Sequence, residues 1–190
     1  MTTTVTLKGM LGVEHARADG GFAIYEPGEP VPPRIKAGDR LRLHLEVAGA
    51  AWLYAVSVTR QGVYRRLGAW APPHGGSGVH VPWPGGHVLT DEQAEMETLI
   101  VIASSEDLPW ASDLVRVDCS AVMDRMPPKP PVTVCDHLYG LFWKVPPRPR
   151  GMIPPDVDMF EDAGARIPAI VVAHRGAPYT AVEWQFKPRA

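Results

Sequence analysis

Cys135-Asp136-His137 places a thiol, a carboxylate and an imidazole in consecutive positions. A thiol hydrolase needs a cysteine and a histidine brought together by the fold, with the imidazole lowering the thiol pKa. On a strand, Cys135 and His137 would leave the same face. Neighbours this close in sequence seldom reach the angle such chemistry needs, and the flanking residues match neither the caspase-type nor the papain-type signature. A buried structural cysteine beside a turn-forming aspartate is the expected role. His74, His80 and His87 share one glycine- and proline-rich loop at spacings of six and seven. Neutral imidazoles ligate zinc, but structural zinc sites use cysteine pairs or histidines separated by about three to five residues, and no cysteine or carboxylate accompanies these. They read as solvated loop histidines, so neither a metal nor another cofactor is expected. Ser104-Ser105-Glu106-Asp107 lacks the Gly-x-Ser-x-Gly elbow and reads as a strand-ending turn. "GGSG" at 75–78 is too short for a phosphate cradle. No catalytic residue is assigned, and the chain is not expected to be an enzyme.

Aromatic residues offer the better lead. Trp70, Trp83 and Trp110 all lie near prolines in predicted loops, where core packing does not obviously require them. Tryptophan is over-represented at interface hot spots, because it buries much area with few torsions to freeze. The opposing role is to plug the open ends of the fold. Trp52, Trp143 and Trp184 fall in strand patterns and are expected in the core. "KVPPRPRGMIPP" at 144–155 has polyproline spacing, with Arg148 and Arg150 positioned to recognise carboxylates, as a rigid strap or docking arm. Trp70, Trp83, Trp110, Arg148 and Arg150 are therefore the expected partner-binding residues.

These side chains need a scaffold, and the composition narrows its kind. A chain of 190 residues fits a single domain. A net charge of −2 gives no electrostatic reason to expect nucleic acid or an anionic membrane. Basic residues gather at Arg60, Arg65 and Arg66, and at Lys144, Arg148 and Arg150, without interleaved aromatics. The 21 prolines fall in bunches that break the chain into short elements. Cys119 and Cys135 make no disulfide framework, and the N-terminal residues show no secretory pattern. Reduced cysteines and a cytoplasmic location follow as expectations. No apolar run is long enough to span a membrane.

Val5 and Leu7 alternate with polar residues, and Gly9 and Gly12 suggest a bulge or bend. After the turn signal "KAGD", Leu41, Leu43, Leu45 and Val47 alternate with Arg40, Arg42, His44 and Glu46, predicting a strand with one wet face. "AWLYAVSVT" and "VYRRL" form a hairpin through Gln61-Gly62. A short edge strand lies at Val79–Val81, Thr90 and Gln93 make a capping box, and 98–104 reads as a strand covered on both faces. Residues 113–126 suggest a helix with Ser112 as N-cap. "VTVCDHLYGLFWKV", "ARIPAIVVAHR" and "YTAVEWQFK" suggest further strands, the last two pairing through "GAP". The predicted fold is mainly β, an antiparallel β-sandwich (Ig-like or related) with one short helix and a proline-rich C-terminal elaboration. Its core is 1–126, and 127–190 is an extension with two or three added strands. Leu41, Leu43, Leu45, Trp52, Tyr54, Val56, Ile100 and Ile102 are predicted to share one core.

One stretch resembles a known family. "AGDRLRLHLEV", "AWLYAVSVTRQGVYRRL", "VHVPWP" and "ETLIVIASSEDLP", within roughly 36–109, are similar to the bacterial domain-of-unknown-function family 4384. The resemblance implies a sandwich-like module that signalling and protease-associated proteins carry alongside other domains, with no catalytic residues to transfer. It ends near residue 110. The expected function is therefore a non-catalytic protein-interaction module of a bacterial signalling or protease-associated system, its partner another protein encoded nearby. A small-ligand or carbohydrate-binding sandwich is the alternative, and a Cys/His or zinc-dependent hydrolase the second.

Overall fold

The computed structural model describes residues 5–24, 34–49, 51–72, 78–122, 130–138, 157–175 and 179–188. The strands are β1 (Thr6–Ala16), β2 (Phe22–Ile24), β3 (Arg34–Ile35), β4 (Arg40–Ala48), β5 (Trp52–Thr59), β6 (Val63–Trp70) and β7 (Gly78–His80). They continue with β8 (His87–Val88), β9 (Met96–Ser104), β10 (Arg116–Asp118), β11 (Val157–Asp162), β12 (Ala165–Arg175), β13 (Tyr179–Gln185) and β14 (Lys187–Pro188). A short helix, α1 (Pro109–Ser112), lies between β9 and β10.

Two antiparallel sheets form a β-sandwich. The first runs β11-β12-β1-β4-β7, with β2 added to β1 and β8 to β4; the second runs β10-β6-β5-β9-β13. β3 and β14 make a small parallel ribbon beside them. Leu41, Leu43, Leu45 and Val47 of β4 face the interior with Leu7, Leu11 and Val13 of β1. Opposite them lie Leu53, Ala55, Leu99, Val101, Val182 and Trp184 of the second sheet.

The single predicted core is two cores. Trp52, Tyr54, Val56, Ile100 and Ile102 occupy the opposite face of the second sheet, packed with Tyr64, Leu114, Cys119, Leu138 and Ala181. Successive strand residues point to opposite faces, so Leu53 and Tyr54 cannot share one. The bulkier face of β5 lies outside the sandwich because a second apolar layer covers it. β9 is buried on both faces, as its continuous apolar run predicts.

Several local expectations hold. Gly62, at φ 78°, turns the β5–β6 hairpin. Thr90 and Gln93 cap each other reciprocally at 3.1 and 3.3 Å. In the "KAGD" turn, the buried Asp39 carboxylate accepts from the backbone of Ala16 and Lys36, and contacts His15 Nδ1 at 2.9 Å.

Others are corrected. The helix predicted at 113–126 gives way to β10, paired with β6, and a 3-10 turn at Ser120–Val122; residues 123–129 lie outside the described ones. Leu114 is buried and Val115 is 73% exposed, an alternation that satisfies an edge pairing better than a helical face. Residues 134–138 are helical instead of extended. Asp136 there accepts the amides of Val132 and Thr133, and its own amide bonds Thr133 Oγ1, closing a helix-start cap. β12 and β13 do not pair through "GAP": they enter different sheets, β12 against β1 and β13 against β9. β12 pairs instead with β11, through a turn with Ala163 and Gly164 both at positive φ. β1 runs through Gly9 and Gly12 in unbroken register with β4. The strands after 157 extend both sheets, with β11 and β13 at their edges and β12 between β11 and β1, and β13 supplies Val182 and Trp184 to the main core.

The predicted wet face of β4 is dry at Arg42, which is 4% exposed. Its guanidinium is ion-paired with Glu14 at 3.2 Å and Asp162 at 3.1 Å, and also bonds the Asp162 carbonyl. Among the described residues, no helix is long and apolar enough to cross a membrane.

Candidate functional site

Trp83, from the loop joining β7 to β8 in the first sheet, meets Trp70 at the end of β6 in the second. Their ring centroids are 5.5 Å apart and the planes 72° apart. His87 lies over Trp83 at 4.7 Å, its Nε2 3.0 Å from the Gln93 side-chain oxygen. With Leu67, the two indoles pack on the main core and close one side of the sandwich. Trp110 is elsewhere: on α1 it stacks on His137, 5.1 Å between centroids and 6° between planes, over the second core. The three predicted contact tryptophans therefore do not form one surface. His74, Arg148 and Arg150 lie outside the described residues.

Cys119 and Cys135 are not reduced thiols; they form a disulfide with 5.5 Å between Cα atoms. Two cysteines in a chain of this size do not announce a bond, because nothing local shows that the end of β10 and the 134–138 helical turn meet over the same core. Burial against Trp110 lowers the His137 pKa, opposed in part by the Asp136 charge. Backbone donation from Thr133 holds the Asp136 carboxyl below its ordinary value. Thiol, carboxylate and imidazole are thus engaged in a crosslink, a helix cap and a ring stack.

The turn after β9 is polar structure of the same kind. Ser104 Oγ accepts the Glu106 amide, and Asp107 accepts from the Tyr54 hydroxyl at 2.6 Å and from Ser112 Oγ at 2.7 Å. Tyr54 Oη in turn accepts the Leu108 amide at 2.9 Å. Donation from Tyr54 lowers the Asp107 pKa, while burial, aided by that carboxylate, raises the tyrosine's. Among the described residues, no group of three or more histidine, cysteine, aspartate or glutamate side chains is placed to hold a metal.

A cleft that the sequence did not single out opens beside the β3–β14 ribbon, about 1070 Å³ in volume. Alternation builds one wall: Ile35 and Phe186 turn into the core, so Arg34, Lys36, Gln185 and Lys187 turn outward. Asp91 and Glu95 line it from the segment leading into β9, Glu97 from the start of β9, and Arg60 from the β5–β6 hairpin tip. None of these seven charged groups makes an ion pair among the described residues. Arg65, by contrast, is paired with Glu92, and Arg66 donates to the Ala111 carbonyl. The signal in the sequence was the alternation of charge around Ile35 and Phe186, invisible as a site until the two short strands were paired.

Comparison of the chain with protein-family models, with curated proteins and with solved structures finds no match in any of the three.

Proposed function

We propose that the chain is a non-catalytic protein-interaction module, and that the cleft beside the β3–β14 ribbon is its contact face. The observation carrying this is a roomy, open cleft lined by seven charges of both signs, each without an ion pair among the described residues. Small-molecule pockets are mostly apolar with a few polar groups, whereas polar contacts over a wide face suit a polypeptide. The alternatives draw less support. Trp70 and Trp83 pack edge to face and Trp110 stacks on His137, so these rings are engaged within the fold, which weakens a sugar-stacking role. Cys135 is tied into a disulfide, which weakens a thiol hydrolase.

The resemblance over 36–109 supports a bacterial signalling or protease-associated setting. The disulfide favours an oxidising compartment over the expected cytoplasm. The test is crosslinked capture from the native host with the tagged chain and with an Arg34→Glu/Lys36→Glu/Lys187→Glu variant, after near-UV circular dichroism has established that both fold. Retention of a specific partner by the parent, weakened by salt and lost in the variant, is the expected result. Equal retention by both would move the interface elsewhere.

A further inference from the structure

We infer that the cleft takes an extended polypeptide segment carrying both signs of charge, its acidic residues against Arg34, Lys36 and Lys187 and its basic residues against Asp91, Glu95 and Glu97. This rests on the interaction reading and adds the chemistry of the partner. The exposed charges of the ribbon come from its outward positions and are all basic, whereas the charges that the segment 91–97 supplies to the lining are all acidic. Elsewhere, opposite charges within reach do pair: Lys8 with Glu46 at 3.5 Å, and Arg65 with Glu92. In the cleft the basic and acidic groups do not pair with one another, so a ligand has both sets to satisfy.

That pattern discriminates between ligand classes. A polyphosphate or nucleic acid would bring its charge against three carboxylates, and a polycation would meet four cations. Like-charge juxtaposition of this kind rejects wrong partners. A segment of mixed sign satisfies both sets and, at about 3.3 Å per residue when extended, presents successive side chains to opposite sides of the cleft.

The experiment measures fluorescence anisotropy of three labelled peptides of about twelve residues, one alternating glutamate and lysine, one all glutamate and one all lysine, against the full chain. The alternating peptide is expected to bind tightest, and to weaken with rising salt. Arg34→Glu/Lys36→Glu should weaken it roughly tenfold, the compounded loss of a few exposed ion pairs, and shift preference toward the lysine peptide. Asp91→Lys/Glu95→Lys should shift it toward the glutamate peptide. All these residues are solvent-facing, and thermal unfolding within a few degrees of the parent establishes that the variants fold. Tightest binding of either single-sign peptide, or binding of none, overturns the proposal. If partner capture still depends on the cleft charges while the alternating peptide fails, the interaction reading stands and this inference falls. If capture ignores those charges, both fall.

Discussion

The indole of Trp184 on β13 lies across the sandwich over Gly9 of β1, so close that a Cβ built on Gly9 would stand 2.6 Å from Cη2 and 2.7 Å from Cζ2. Trp184 is 5% exposed and has no room to retreat. Gly9→Ala should therefore destabilise the fold by about 1–3 kcal/mol through overpacking. Urea unfolding measures it, and Trp184→Leu in the same chain should recover part of the loss. A Gly9→Ala protein as stable as the parent would mean the ring does not occupy that place.

Trp70 and Trp83 form an edge-to-face pair on the main core. Such pairs contribute about 0.5–1.5 kcal/mol beyond their buried area. A double-mutant cycle with Trp70→Ala and Trp83→Ala should show coupling in that range. Single variants that fold as stably as the parent yet lose the partner would instead restore these indoles to the contact face.

How much of this was legible depended on whether the deciding contact was local. Leu41, Leu43, Leu45 and Val47 place β4 because alternation is a property of one strand, and Thr90 with Gln93 places a cap because it spans one turn. Gly9 looked like a bend because nothing nearby in sequence announces the ring of Trp184. Tyr54 and Ile102 looked like partners of Leu43 because bulk marks burial without saying against which layer. The Cys119–Cys135 bond and the cleft charges come from segments that meet only after folding, as does Arg42 with Asp162.

Arg42 is held by Glu14 and Asp162, and both carboxylates are buried, each 5% exposed. Removing Arg42 strands the Asp162 charge and leaves Glu14 only Arg40, at 3.5 Å. Arg42→Met should cost about 3–5 kcal/mol, more than its lost contacts alone would suggest. Adding Glu14→Gln and Asp162→Asn should restore a substantial part. Equal instability in the single and triple variants would rule out stranded charge as the cause.

The disulfide closes a loop across a sequence separation of 16. Closing a loop of roughly 15 residues removes about 3 kcal/mol worth of unfolded-state entropy. Cys119→Ser/Cys135→Ser should lose stability of that order, and parent protein treated with a dithiol reductant should fall to the same level. Partner capture should persist in the double variant where it remains folded, since the crosslink lies over the second core and away from the cleft lining. Protein isolated without reductant should show no titratable thiol; two thiols per chain would sink this assignment and return weight to the cytoplasmic one.

His137 gives the fold a pH dependence whose sign follows from its stack. Burial against Trp110 disfavours the imidazolium, and the neighbouring Asp136 only partly offsets this, so the folded pKa lies below the unfolded value of about 6.5. A depressed folded pKa means that the stabilising contribution is complete above about pH 6.5. It declines as the pH falls toward the folded value, because the unfolded chain takes up the proton more readily. Asp107 and Asp136 are also depressed, through the Tyr54 hydroxyl and the Thr133 amide, but their contributions are lost only in the carboxylate range, further into acid. His137→Phe keeps a ring on Trp110 and removes the titrating group. Chemical denaturation of parent and variant between about pH 7.5 and 5 should show the parent losing stability faster, with the two slopes converging at lower pH. The difference between the two curves is the quantity to read. Parallel curves would mean that His137 titrates alike in the folded and unfolded chain, and that the stack does not exclude water from it.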